Sequence, residues 1–342
     1  MKKIVFTAAL LGTTAMMAPS AMAYGFGNGN GHGNGYNNLC TTDRCSPDMA
    51  DLLQNLSGLQ KAINMIVDVN DATDIVQEAV NAGNLVNVED IDVELANVEQ
   101  NADLWQFAMN VVDGDSFWTT DLTNISQSAT NVANSISSEG LVTAAKQSAE
   151  GSQFATNSAL GTASSALYGL EQAATNVVNT VTAATSKTVK QASYTDQVAV
   201  NVMYGGWGGY DADAVDWDAE DAIDTQVAVN AANLVDLDAL TGAIKQESYG
   251  SQDALNKAIF TGYHGGNVYD LGQSATNVAN SVTVGSITPA VFDCLCYDGW
   301  EVNQSAYADQ VASNLVVTMG SVTNTVQSAT NIANSISVKL PE

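Results

Sequence analysis

Basic residues are scarce in this chain. Ten lysines and arginines stand against 37 aspartates and glutamates, a formal charge of −27 over 342 residues. A chain so charged does not seek phosphate backbones or anionic lipid surfaces, so no nucleic-acid partner is expected. Histidine is nearly absent. His32 and His264 stand near neither a cysteine nor a short carboxylate cluster, which argues against imidazole-based catalysis. Only four prolines occur, and small polar residues fill the sequence, which suits a regular array better than a disordered linker. There is no phosphate loop, dinucleotide fingerprint or Gly-x-Ser-x-Gly elbow. A polysaccharide hydrolase built on a β-helix would need a marked carboxylate pair, and the scattered aspartates mark none. The expected answer is not an enzyme, with no cofactor. After residue 23 no apolar run is long enough to span a bilayer as a helix. A membrane barrel is disfavoured because neither strand face is uniformly apolar and aromatic girdles are missing.

The one long apolar run lies at the start. Lys2 and Lys3, the stretch from Ile4 to Ala18, and Ala21-Met22-Ala23 have the layout of a secretory leader, so residues 1–23 are predicted to be a signal peptide. Its removal takes the formal charge from −27 to −29. Residues 24–48 form a Gly/Asn-rich segment, and 49–342 carry the repeats described below. Four cysteines sit in two close pairs, Cys40/Cys45 and Cys294/Cys296, and are disulfide candidates in an oxidising compartment. Pairing within Cys294-Leu-Cys296 is strained, so links between the two pairs stay open. Their spacing fits no common zinc pattern. Asp211, Asp213, Asp216 and Asp218 offer hard oxygen ligands for Ca²⁺, or else form a solvated acidic loop; the stretch matches no EF-hand.

Twelve copies of Gln-x-Ala-x-Asn dominate what remains. They pair Gln60 with Asn64, Gln77 with Asn81, Gln106 with Asn110, Gln127 with Asn131, Gln153 with Asn157 and Gln172 with Asn176. They continue with Gln197 and Asn201, Gln226 and Asn230, Gln252 and Asn256, Gln273 and Asn277, Gln310 and Asn314, and Gln327 and Asn331. Two forms alternate. The long form carries another glutamine six residues earlier, at Gln54, Gln100, Gln147, Gln191, Gln246 and Gln304. Its recurrent positions fall at strict period two, the mark of a strand with one specified face. On a helix, residues six apart lie about 120° apart and share no face. The short form changes parity. A second asparagine falls seven residues after its glutamine, and alternation then resumes, which predicts a bulge or a tight corner. Glycines after the long form, at Gly114, Gly161, Gly205, Gly206, Gly262 and Gly320, are placed to take the positive φ of sharp turns.

A long and a short form together make one unit, so the chain holds six units of about 46 residues, stretched by insertions at about 204–224 and 287–302. Buried amides are costly unless paired. Stacking identical residues at the strand spacing of about 4.8 Å lets each amide donate to one neighbour and accept from the other. The expected fold is therefore all-β: a β-solenoid of six two-part repeats with inward Gln/Asn ladders and loop insertions at one edge. Six units give a rod of roughly 30 Å as single rungs or roughly 60 Å as double rungs. Two alternatives are an outward amide face and an Ala/Ser/Thr-rich helical coil. The residues between Gln and Asn, such as Lys61, Glu78, Asp253 and Ser128, vary and are often polar, which favours the amides facing inward.

These features resemble the curlins, subunits of curli-type functional amyloid fibres. The leader is followed by Tyr24-Gly-Phe-Gly-Asn-Gly-Asn-Gly-His32-Gly-Asn-Gly-Tyr36-Asn-Asn38, similar to the Gly/Asn-rich segment before curlin repeats. The tandem Gln/Asn repeats and their parity break resemble the curlin strand-turn-strand, with alanine where the curlin motif has glycine. The resemblance implies a bacterial extracellular fibre subunit of a biofilm matrix or cell surface. Its implied partners are further copies of itself, an outer-membrane export pore and a nucleator subunit. The competing expectation is a monomeric solenoid adhesin. It would bind a surface or glycan through its insertions, where Trp207, Trp217 and Trp300 lie.

Overall fold

The computed structural model describes residues 49–114, 121–161, 167–205, 224–260, 268–287 and 301–338. All belong to one unit, Ser46–Glu342. The predicted leader, the Gly/Asn-rich segment and most of both insertions lie outside the described residues.

Among the described residues every regular element is a strand: β1 Met49–Val69, β2 Asp71–Val88, β3 Glu94–Gly114, β4 Asp121–Leu160, β5 Leu167–Gly205, β6 Asp224–Phe260, β7 Val268–Tyr269, β8 Leu271–Ile287, β9 Glu301–Thr318, β10 Val322–Thr323 and β11 Val326–Val338. No helix of the described residues is long and apolar enough to cross a membrane. Pairing is parallel throughout. Long forms pair only with long forms and short with short. Gln54 aligns with Gln100, then Gln147, Gln191, Gln246 and Gln304. Gln77 aligns with Gln127, then Gln172, Gln226, Gln273 and Gln327. The expected all-β solenoid is borne out, and its units stack as single rungs. β4, β5 and β6 each contain a short-form limb that turns directly into the long-form limb of the next rung. Two parallel sheets thus face each other, one of long forms and one of short.

The parity break is a bulge inside the short sheet. Ala82, Val132 and Val177 pair, Asn84, Asn134 and Asn179 pair, and Gly83, Ala133 and Val178 between them have no partner in the register. The extra residue lets Asn81 and Asn84 both point inward despite their odd separation.

Two aliphatic clusters close the interior at its edges. Ile136, Val142, Val181, Val189, Leu240 and Ile244 lie where short limbs turn into long ones. Leu122, Ile125, Leu170, Met203 and Leu271 lie where long limbs turn into short ones. Between them runs a column of alanines, among them Ala108, Ala129, Ala155 and Ala174. Alanine keeps the two sheets close enough for amides to reach across. The aliphatic edges supply ordinary burial, about 1.5–3 kcal/mol per large side chain.

Two details differ from the sequence expectation. Of the glycines after the long form, Gly114, Gly161, Gly205 and Gly320 take no positive φ, and Gly206 and Gly262 lie outside the described residues. A left-handed corner falls instead on Asp74, Asn124, Gly169, Asp270 and Asn324, with φ of 51–68°, each three residues before a short-form glutamine; Asp68 adds another, and Gly58, Gly151 and Gly250 inside the long form take φ of 122–144°. Asp, Asn and Gly tolerate the left-handed region best, and they fill this corner position in five of the six short forms; the fourth has Ile223 there, outside the described residues. The insertions also leave from opposite edges. One lies between Gly205 of a long limb and Asp224 of a short limb; the other lies between Ile287 of a short strand and Glu301 of a long one.

Candidate functional site

The inward amides make six ladders. In the long sheet, Gln100 Nε2 donates to Gln54 Oε1 at 2.7 Å, Gln147 to Gln100, Gln191 to Gln147, Gln246 to Gln191 and Gln304 to Gln246. The second long-form glutamines repeat this: Gln106 donates to Gln60, Gln153 to Gln106, Gln197 to Gln153, Gln252 to Gln197 and Gln310 to Gln252, all within 2.6–3.0 Å. In the short sheet Gln127 donates to Gln77, Gln172 to Gln127, Gln226 to Gln172, Gln273 to Gln226 and Gln327 to Gln273. Every glutamine therefore donates toward the N-terminal rung.

Asparagines run the other way. Asn64 donates to Asn110, Asn110 to Asn157, Asn157 to Asn201, Asn201 to Asn256 and Asn256 to Asn314, at 2.8–2.9 Å. The short-form ladder passes from Asn81 through Asn131, Asn176, Asn230 and Asn277 to Asn331. The third, made by the asparagine after the bulge, passes from Asn84 through Asn134, Asn179, Asn233 and Asn280 to Asn334. The letters of the sequence locate this last ladder but carry no sign of which way any ladder donates.

A primary amide has two N–H donors, and the second is used across the interior. Gln106 donates to the Val132 carbonyl and Gln153 to that of Val177, both one residue before the bulge. Asn110 donates to Ser128 O, and Asn134 donates back to Ser148 O of the long sheet. Most interior amides thus tie their own rung to the next and one sheet to the other. Gln106, Asn110, Asn131, Gln153, Asn157 and Asn201 are buried. Loss of one leaves its two ladder neighbours, and in most cases a facing backbone carbonyl, without that partner in a low-dielectric interior.

Most ladder ends lie on partly or fully exposed strands, although Gln77, Asn81 and Asn84 of β2 stay buried. On β1, Gln54, Gln60 and Asn64 are only half-buried. On β11, Gln327, Asn331 and Asn334 are exposed. Because the ladders have direction, the two ends differ. The first rung presents glutamine N–H donors and asparagine oxygens. The last presents glutamine oxygens and asparagine N–H donors.

One charged side chain breaks an apolar column. Ile75, Ile125, Leu170 and Leu271 lie two residues before a short-form glutamine, and Asp224 takes that place in the fourth rung. Its carboxylate accepts the Leu170 backbone N–H at 2.8 Å. Burial pushes its pKa up to about 7, although the Leu170 and Gly169 N–H groups pull it back. The sequence carries the signal, since Asp224 stands where four of its five counterparts are aliphatic and the last is Thr325.

Cys40, Cys45, Cys294 and Cys296, the Ca²⁺ candidates Asp211, Asp213, Asp216 and Asp218, and Trp207, Trp217 and Trp300 lie outside the described residues. Among the described residues no three His, Cys, Asp or Glu side chains are grouped as metal ligands. No family model, curated protein or solved structure matches this chain.

Proposed function

We propose that the chain is a secreted bacterial fibre subunit that stacks end to end in a biofilm matrix or on a cell surface, each ladder of one copy continuing into the next. The observation that carries this reading is the complementarity of the two ends. Glutamine oxygens of the last rung meet glutamine N–H groups of the first, and asparagine N–H groups meet asparagine oxygens. Turning one copy over sets donors against donors, so only head-to-tail addition extends the ladders. The free backbone edges of the end rungs, β1 and β2 at one end and β9 and β11 at the other, supply the strand pairing that templates each addition, β9 of one copy to β1 of the next and β11 to β2. The leader and the resemblance to curlins support export and a matrix role. An export pore and a nucleator subunit follow from that resemblance.

The net charge, −27 for the full chain and −29 without the predicted leader, opposes assembly, so moderate salt should speed it. Fibre diffraction tests the reading. Filaments of the purified protein at moderate salt should give reflections near about 4.8 and 10 Å. Replacing Gln310, Asn314, Gln327, Asn331 and Asn334 with charged residues should slow assembly several-fold without blocking export. A persistent monomer, or unchanged assembly by that variant, overturns the mechanism. A persistent monomer would favour the solenoid adhesin.

A further inference from the structure

Outside the ladders, one column of the long sheet's outer face is aromatic in half of the molecule. Tyr194 aligns with Tyr249, and Tyr249 with Tyr307. Their rings are stacked, with centroids 5.0 and 5.2 Å apart and planes inclined by only 3° and 9°. Tyr194 is 48% exposed and Tyr307 68%. In the first three rungs the same column holds Ser57, Asp103 and Glu150.

The stack coincides with a second feature. Successive long limbs of rungs one to four are 46, 47 and 44 residues apart. Those of rungs four to six are 55 and 58 apart. The tyrosines therefore bridge the two junctions whose connecting chain is longest. A longer loop costs more entropy to close, so these rungs are held less tightly by the chain itself. The ring faces are turned toward one another, which leaves only the two end faces of the stack, on Tyr194 and Tyr307, without a ring partner and argues against an extended sugar-stacking platform. What the column offers to solvent is a row of ring edges and hydroxyls, repeated at the rung spacing.

We propose that the Tyr194–Tyr249–Tyr307 column is an oxidative modification site, where a peroxide acting through a haem peroxidase joins neighbouring rings into a covalent staple between rungs. Each of two adjacent phenols gives up one electron and one proton. The two phenoxyl radicals couple through one carbon–carbon bond between ring carbons ortho to the hydroxyls. Each ring then regains aromaticity by moving its ortho hydrogen to the oxygen. One hydrogen peroxide takes up the two electrons and two protons and leaves as two waters, so the protein loses two hydrogen atoms per bond. In-register strands hold equivalent ring carbons about one rung apart, roughly 5 Å. Outward placement lets the rings tilt into bonding contact. Tyr249 belongs to both pairs, so either bond requires it. Loss of water contact, followed by the Glu247 carboxylate and the two neighbouring phenols, holds the Tyr249 pKa above its ordinary value. It is thus a protonated phenol at neutral pH, as the hydrogen loss above requires.

The test treats the full chain, dilute enough to be monomeric, with hydrogen peroxide and a haem peroxidase. It reads dityrosine fluorescence, intact mass and the cross-linked peptides. The expected result is a product lighter by two hydrogens, with linked peptides carrying Tyr194 and Tyr249 or Tyr249 and Tyr307. Tyr249→Phe keeps a stacked ring but should reduce the fluorescence several-fold and remove both linked peptides. Tyr204→Phe, at an exposed tyrosine outside the column, should change neither. Cross-links spread evenly over other tyrosines, none at all, or an unchanged yield from Tyr249→Phe would overturn the proposal. Because the protein is monomeric throughout, the outcome does not depend on fibre assembly.

Discussion

Rungs one to three and rungs four to six share the same interior amide ladders and differ in their exteriors. All six ladders pass from one half to the other without a change of residue, although the spacing between aligned long limbs grows from 46 residues at the first junction to 58 at the last. The outer column changes from Ser57, Asp103 and Glu150 to three stacked tyrosines at the point where the spacing grows. The difference separates two jobs. Amide ladders set register and do not depend on loop length, because each residue is specified by the rung above and below. Exterior contacts are free to vary, and they respond to how well the chain already ties adjacent rungs together.

The largest effect should come from breaking what the halves share. Asn157→Leu in rung three leaves the Asn110 donor and the Asn201 acceptor unpaired, both in buried surroundings. At about 1–3 kcal/mol for each orphaned group, the loss is about 2–6 kcal/mol. Asn256→Leu in rung five breaks the matching bonds to Asn201 and Asn314 and should cost nearly as much, despite the longer loops. Asn331→Leu at the exposed end orphans one ladder partner and should cost about 1 kcal/mol or less. Urea melts of the three variants check this ordering. Equal losses for Asn331 and Asn157 would mean that burial does not set the strength of the ladder.

A smaller effect distinguishes the halves by pH. Asp224 lies in the fourth rung, and burial raises its pKa from 3.8 to about 7. Between those values the folded state holds a proton that the unfolded chain has released, so stability falls as pH rises through this window. The contribution is fully present below about pH 4 and is lost by about pH 7, on the order of 1–3 kcal/mol for a group that retains some solvent contact. Asp224→Asn should flatten this part of the pH–stability curve, measured by thermal melts from pH 4 to 8. A wild-type slope that persists in the variant would place the titration elsewhere.

Much of this fold is legible in the sequence because its side-chain pattern is its physics. Period two along Gln147-Ser-Ala149-Glu-Gly151-Ser-Gln153 gives a strand face, and the alternation of long and short forms gives two sheets and six rungs. The second short-form asparagine marks the bulge. Three things are harder to see. A primary amide reads the same whichever way it donates, so ladder direction emerges only in the folded structure. The left-handed corner was written as Asp74, Asn124, Gly169, Asp270 and Asn324, but glycine elsewhere is the louder turn signal. The tyrosine column crosses separations of 55 and 58 residues, and no local pattern links those positions until register is known.

That column gives the finest contrast between the halves. Tyr249→Ala removes both stacks, each worth about 0.5–1.5 kcal/mol beyond area burial, so a loss of about 1–3 kcal/mol is expected. Asp103→Ala, at the same column in rung two, removes no ring contact and should change stability by about 0.5 kcal/mol or less. The reverse change is more searching. Glu150→Tyr places a ring directly beside Tyr194 in the register and takes away a carboxylate next to Asp103. It should stabilise the chain by about 0.5–1.5 kcal/mol if the stack stands on sheet geometry alone. The junction between rungs three and four is already closed by the shortest of the aligned spacings, 44 residues, so less remains to be gained there by holding the rungs together. A gain from Glu150→Tyr well below the loss per stack in Tyr249→Ala would therefore show that the tyrosines compensate for loop length, and an equal gain would show that any outer column supports them.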